Sequence, residues 1–181
     1  PVVGLRPMIY DAARDRTILF GLEAEIGRNV HSEWDGAAWS DLPTESGPST
    51  RTSHSLVYDP IRQETVVFGG AFGAALHGDT WTWNGAGWTL VATSGPSPRN
   101  GAATTFDSSR GRMVLVGGNT QNGRVSDHWE WDGVSWTQVA AMTPIGQVPS
   151  MLGYDEARQI LVLVDQIGRT WEHDGVQWMQ V

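Results

Sequence analysis

The chain repeats itself every 48 residues, and this period constrains its fold more than any local pattern does. Tyr10, Tyr58, Phe106 and Tyr154 stand at that spacing, each followed at once by aspartate (Asp11, Asp59, Asp107, Asp155). Three residues further on comes arginine every time, at Arg14, Arg62, Arg110 and Arg158. Self-similarity at a period of this size marks a repeat architecture, in which each unit buries its apolar faces against its neighbours. The units run approximately 1–50, 51–98, 99–147 and 148–181 within a single domain, 1–181.

The second unit is the clearest. A small-residue segment from Arg51 to Tyr58 leads into the turn Asp59-Pro60-Ile61-Arg62, and Thr65 to Phe68 is a β-branched and aromatic run closed by Gly69-Gly70. Thr80 to Trp83 alternates threonine with tryptophan, and the hairpin signal Asn84-Gly85 introduces Trp88 to Val91. That makes four short antiparallel strands per unit, and no stretch carries helical periodicity. The third unit keeps the pattern in Met113 to Gly118 and in Trp129 to Trp136. The first and fourth units degrade it. Gly21-Leu22 and Asp165-Gln166 replace the glycine pair, Ser32 replaces the first tryptophan of its strand, and His173 replaces the second.

The expected fold class is therefore all-β: a β-propeller of four four-stranded antiparallel blades. Thr52-Ser53-His54-Ser55 and Gly101-Ala102-Ala103-Thr104-Thr105 supply the small side chains that strands converging on an axis need. The tryptophan pairs fill the space where blades splay apart. On Gly69-Gly70, Gly117-Gly118, Trp83/Trp88, Trp131/Trp136 and Pro98-Arg99, the chain resembles the kelch-repeat β-propeller family in its bacterial style, with Asp-x-x-Arg turns. The resemblance implies a propeller and, commonly, binding work. Four such units can close alone, pair with a second chain as an eight-bladed ring, or form part of a larger ring. The same resemblance implies a periplasmic, extracellular or cell-surface protein. Since the chain begins with Pro1, a leader has been removed or the chain is a piece of something longer.

Composition narrows the function. Twelve basic against 20 acidic residues give a net charge of −8, which argues against a nucleic-acid or anionic-membrane surface. No apolar run approaches the ~18 residues of a membrane span, so no membrane insertion is expected. Cysteine is absent, which excludes disulfides, thiolate metal sites and cysteine nucleophiles. It also excludes the Tyr–Cys cross-link on which propeller-type copper-radical oxidases depend. The glycine pairs open no helix and so form no phosphate loop, and no nucleophile elbow is visible; no cofactor and no catalytic residue are expected. The histidines offer no metal site either. His31 and His128 are repeat equivalents on separate units, and neighbours in Glu172-His173-Asp174 point to opposite faces of a strand.

In an antiparallel meander, the first-to-second and third-to-fourth turns share one face of the molecule. Here they are short and stereotyped: the Asp-x-x-Arg turns, and Asp35-Gly36, Asn84-Gly85, Asp132-Gly133 and Asp174-Gly175. These aspartates read as local ion pairs, Asx-turns or residues tolerating the left-handed conformation. The second-to-third connections on the other face are long and differ in every unit, as in residues 71–78 and 119–126. Function usually sits on variable loops held by a rigid scaffold. The candidates for contact with a protein partner or with other subunits of an assembly are Glu23, Glu25, Arg28, Phe72, His77, Asn119, Gln121, Asn122, Arg124 and Arg169. The fourth unit has only Ile167-Gly168-Arg169 at this place, which leaves a notch. A competing reading is an enzyme or carbohydrate-binding module at the channel mouth, with Arg51, His54 and Arg99 on the innermost strands as its polar groups; the first and fourth units place Val3 and Gln147 where those arginines stand.

Overall fold

A computed structural model describes residues 6–23, 25, 27–43, 46–140, 142–143 and 149–181. The regular structure of these residues is entirely β, in four antiparallel sheets that follow one another along the chain and one two-stranded hairpin. The first sheet is the meander β1 (Met8–Asp11), β2 (Arg16–Glu23), β3 (Arg28–Trp34) and β4 (Trp39–Leu42). The second holds β5 (Ser55–Asp59), β6 (Glu64–Phe68), β9 (Thr80–Trp83) and β10 (Trp88–Ala92); the hairpin β7 (Ala71–Phe72) and β8 (Ala75–Leu76) rises between β6 and β9. In the third sheet β11 (Arg99–Asn100) and β12 (Ala103–Asp107) both pair with β13 (Arg112–Thr120), followed by β14 (Gly123–Trp131) and β15 (Trp136–Ala140). The fourth is β16 (Pro149–Asp155), β17 (Ile160–Asp165), β18 (Thr170–His173) and β19 (Trp178–Gln180).

Strand alternation gives each sheet two apolar faces, and the core lies between sheets. Ile18 and Phe20 of the first sheet meet Leu56, Val67, Trp83 and Trp88 of the second. Val57, Val66 and Phe68, from the opposite face of the second, meet Met113, Leu115 and Trp131 of the third. Val114 and Val116 then meet Leu161, Leu163 and Trp171 of the fourth. Truncating one of these fully buried aromatics to alanine would cost about 3–5 kcal/mol. Among the described residues, no such cluster joins the fourth sheet to the first. The first strands of consecutive sheets are neighbours: β1 with β5, β5 with β12, and β12 with β16.

Two expectations about loops change. Residues 119–126 are not an irregular loop, because β13 and β14 run on as one long hairpin that turns at Gln121-Asn122. Gly117 and Gly118, with φ of 67° and 113°, do not end the strand; they make a bulge through which it continues. Residues 71–78 likewise contain the β7–β8 hairpin. In the Asp-Gly and Asn-Gly hairpins, the left-handed residue is the glycine (Gly36, Gly85, Gly133 and Gly175, φ 91–96°) and not the aspartate. The Asp or Asn side chain instead accepts two backbone N–H groups, as Asp132 does from Val134 and Ser135.

Candidate functional site

At the short-turn end, charged side chains are committed to structure. Asp11, Asp59, Asp107 and Asp155 each accept the backbone N–H of the arginine three residues on, and each pairs with that arginine's guanidinium at 2.7–2.8 Å. The arginines then reach a second carboxylate on β3, β14 or β18: Arg14 to Glu33, Arg110 to Glu130 and Arg158 to Glu172, all at 2.7 Å. The second sheet has Thr82 in place of that glutamate. Its Arg62 donates instead to the carbonyl of Asp132 in the hairpin of the third sheet. Burial pushes the Asp107 carboxyl up, but Ser109 and Arg110 outweigh it and hold the group below the usual carboxylate range.

Arg51 and Arg99 lie inside the protein, with 0% and 2% of their surface exposed. Arg51 grips Asp79 through two bonds of 2.7 and 3.0 Å and also donates to the carbonyls of Ser49 and Gly69. Arg99 repeats the arrangement with Asp127 at 2.5 and 2.9 Å and with the carbonyls of Ser97 and Gly117. Asp79 and Asp127 each accept a further indole N–H, from Trp81 and Trp129, at 2.7 Å. Burial raises the Asp79 carboxyl, yet Arg51 and Trp81 keep it below its ordinary value. His54 is buried edge-on to Phe20, with ring centroids 5.4 Å apart. Burial, assisted by Arg51, pushes its pKa down to about 3, so it is neutral at physiological pH. Val3 and Gln147 lie outside the described residues.

The other end of the sheets carries the longer connections. Glu23 and Arg28 face each other in register at the end of β2–β3, where Glu23 pairs with Arg6 at 2.5 Å; Glu25 is exposed in the turn between them. Phe72 projects from the β7–β8 hairpin with 49% of its surface in solvent. His77 is half-buried at the foot of that hairpin, its backbone N–H on the carbonyl of Gly70 and its carbonyl accepting from Arg99. Asn119 donates to Asn100 at 3.2 Å. Arg124 reaches across to Gln166 of the fourth sheet at 3.4 Å. Arg169 pairs with Asp165 at 2.6 Å and lies over the Trp171 ring.

These candidates do not form one cluster. The structure brings Gln121 and Asn122 together with Leu76, Ser97, Pro98 and Thr120 in a cleft of about 490 Å³ between the β7–β8 hairpin and the β13–β14 turn. A separate cleft of about 420 Å³ lies between the first two sheets, walled by Arg28, Asn29, residues 47–50, Asp79 and Trp81. Ser97, Pro98 and Thr120 were missed by sequence reasoning, although the Pro-Ser-Pro-Arg run, residues 96–99, marks a rigid edge.

The histidines at the sheet boundaries are packing groups. His31 is fully buried against Trp83 and Trp88 and accepts the Trp88 indole N–H at 3.3 Å; burial, with Arg14 nearby, pushes its pKa down to about 4. His128 and His173 meet edge-on across the third and fourth sheets at 5.2 Å. Burial first, then His173 and Arg110, lower His128 to about 3. Among the described residues, no three His, Asp or Glu side chains converge to hold a metal ion.

No family model matches the chain, and no characterised protein matches it in sequence. In three dimensions it is similar to the structure of YjhT, with a TM-score of 0.75 at 14% identity over 99% of this chain. The similarity at that identity is one of fold. The chain spans 66% of the YjhT chain.

Proposed function

We propose that the four sheets are successive blades of a kelch-like β-propeller, and that the chain is a non-catalytic module binding a protein partner through the cleft between the β7–β8 hairpin and the β13–β14 turn. The observation that carries this reading is a division of labour. The repeated Asp, Arg and Glu side chains are engaged in ion pairs within each sheet, and Trp83 bonds Glu33 across a sheet boundary. The non-repeated hairpins present an exposed aromatic, Phe72, beside a cleft edged by the amide side chains of Gln121 and Asn122. An anchoring aromatic next to adaptable hydrogen-bonding groups is the composition of a protein-binding surface.

The test is the triple substitution Phe72→Ala, Gln121→Ala, Asn122→Ala. Partner capture is expected to fall at least tenfold with the melting temperature unchanged, because all three are solvent-facing hairpin positions. Full capture by the variant would place the binding site elsewhere. Binding of a glycan at the channel mouth, undisturbed by the three changes, would favour the carbohydrate reading.

A further inference from the structure

The chain holds three Asn-Gly pairs, Asn84-Gly85, Asn100-Gly101 and Asn122-Gly123, and the fold treats them differently. A pair of this kind can modify itself: the backbone nitrogen of the glycine attacks the asparagine Cγ, with no Cβ standing in its way. Two things favour that step. The glycine N–H has to be free to lose its proton, and the negative charge that builds on Oδ1 has to be held by donors.

At Asn100-Gly101 the nucleophile is engaged, because the Gly101 N–H donates to the Ser53 carbonyl at 2.8 Å. At Asn122-Gly123, the glycine is the first residue of β14, in register with Thr120, and among the described residues no group donates to Asn122 Oδ1. Asn84 combines what the others lack. It is exposed in the β9–β10 turn, and among the described residues no group accepts the Gly85 N–H. Its Oδ1 already accepts the backbone N–H groups of Ala86 and Gly87 at 2.9 and 3.0 Å. Both donors therefore sit on the atom that becomes the oxyanion in the addition step.

The product fits the same turn. The equivalent hairpins carry Asp35, Asp132 and Asp174, and each carboxylate accepts the two N–H groups that correspond to those on Asn84. These bonds hold all three carboxyls below the ordinary carboxylate range. An ionised acceptor binds such donors more strongly than an amide oxygen does.

We propose that Asn84 is a self-modifying site, at which the folded protein deamidates in preference to its other two Asn-Gly pairs. The Gly85 nitrogen bonds to Cγ, the Cγ–Nδ2 bond breaks, and the proton from Gly85 leaves on the departing ammonia. Water then opens the cyclic imide. Hydrolysis at Cγ leaves aspartate, and hydrolysis at the backbone carbonyl leaves isoaspartate, with the chain rerouted through Cβ. The turn lies at the short-turn end of the sheets, so this inference is independent of the loop-face reading.

Peptide mapping by mass spectrometry tests it, on the folded chain held at mildly alkaline pH and sampled over time. Conversion at Asn84 is expected to run at least about tenfold faster than at Asn100 or Asn122. In urea the three sites should convert at like rates, since each is then an Asn-Gly pair stripped of its folded surroundings. Asn84→Asp, the finished product, should melt no lower than the wild type. Conversion at Asn84 no faster than at the other two sites, a ranking that persists in urea, or an Asn84→Asp variant that melts lower would overturn the proposal.

Discussion

The indole N–H of Trp83 donates to the Glu33 carboxylate, 3.2 Å away, across the boundary between the first and second sheets. Glu33 also holds Arg14, which is fixed by Asp11, so one glutamate ties a turn, a strand and the next sheet together. Replacing Glu33 with alanine leaves a buried indole and a half-buried guanidinium without that acceptor. A loss of about 1–3 kcal/mol is expected from the urea midpoint.

The second sheet lacks this connection. Thr82 stands where Glu33 does, and the buried Trp131 N–H of the third sheet has no acceptor. Thr82→Glu should supply one and give Arg62 a carboxylate as well. The expected outcome is a stabilisation of roughly 1 kcal/mol, and a larger loss from Arg62→Met in the Thr82→Glu background than in the wild-type background would show that the pair acts together.

Arg99 and Asp127 form the most deeply buried bidentate ion pair of the described residues. Asp127→Asn should destabilise the protein by about 3–5 kcal/mol, because it strands a buried guanidinium. Replacing both, as Arg99→Met/Asp127→Leu, should cost less than the single change. A double-mutant cycle by chemical denaturation measures the coupling.

Acid should weaken the fold from about pH 6.5 downward. His31, His54 and His128 titrate near 4, 3 and 3 in the folded protein, below the ordinary histidine value. Between those values and 6.5 the unfolded chain binds more protons, so stability rises with pH through this window and is complete above it. Each histidine contributes a slope of about 1.4 kcal/mol per pH unit there. His54→Phe should flatten the profile between pH 4 and 6 if its volume is accommodated, as unfolding free energy measured at several pH values will report.

The residue after each Asp-x-x-Arg turn adopts the left-handed conformation: Asp15, Gln63, Gly111 and Gln159, with φ of 54–64°. Only the third repeat uses glycine, where an added Cβ would lie 2.7 Å from Ile61. Gln63→Gly should therefore stabilise by up to about 1 kcal/mol, and Gly111→Ala should destabilise by more than that. Melting temperatures of the two variants should move in opposite directions.

Much of this architecture is legible in the sequence because its signals are local. The 48-residue period, the Asn84-Gly85 hairpin and the tryptophan pairs each report on contacts within a strand or two. What was hidden depends on chain separation. Arg51 and Arg99 read as candidate channel groups because their partners, Asp79 and Asp127, lie 28 residues away. Gly117-Gly118 read as a strand end because a bulge and a stop share the same residues, and only pairing with β14 distinguishes them. The 490 Å³ cleft arises where two non-repeated hairpins from different sheets converge, which no single repeat encodes.

The most direct measurement is site-specific photo-cross-linking from Gln121, at the rim of that cleft, compared with Val134 on the opposite hairpin face, in extracts of the source cells. The account expects one discrete heavier adduct from Gln121, lost on Phe72→Ala, and none from Val134. Equal cross-linking from both positions, or an adduct from Val134 alone, would contradict it.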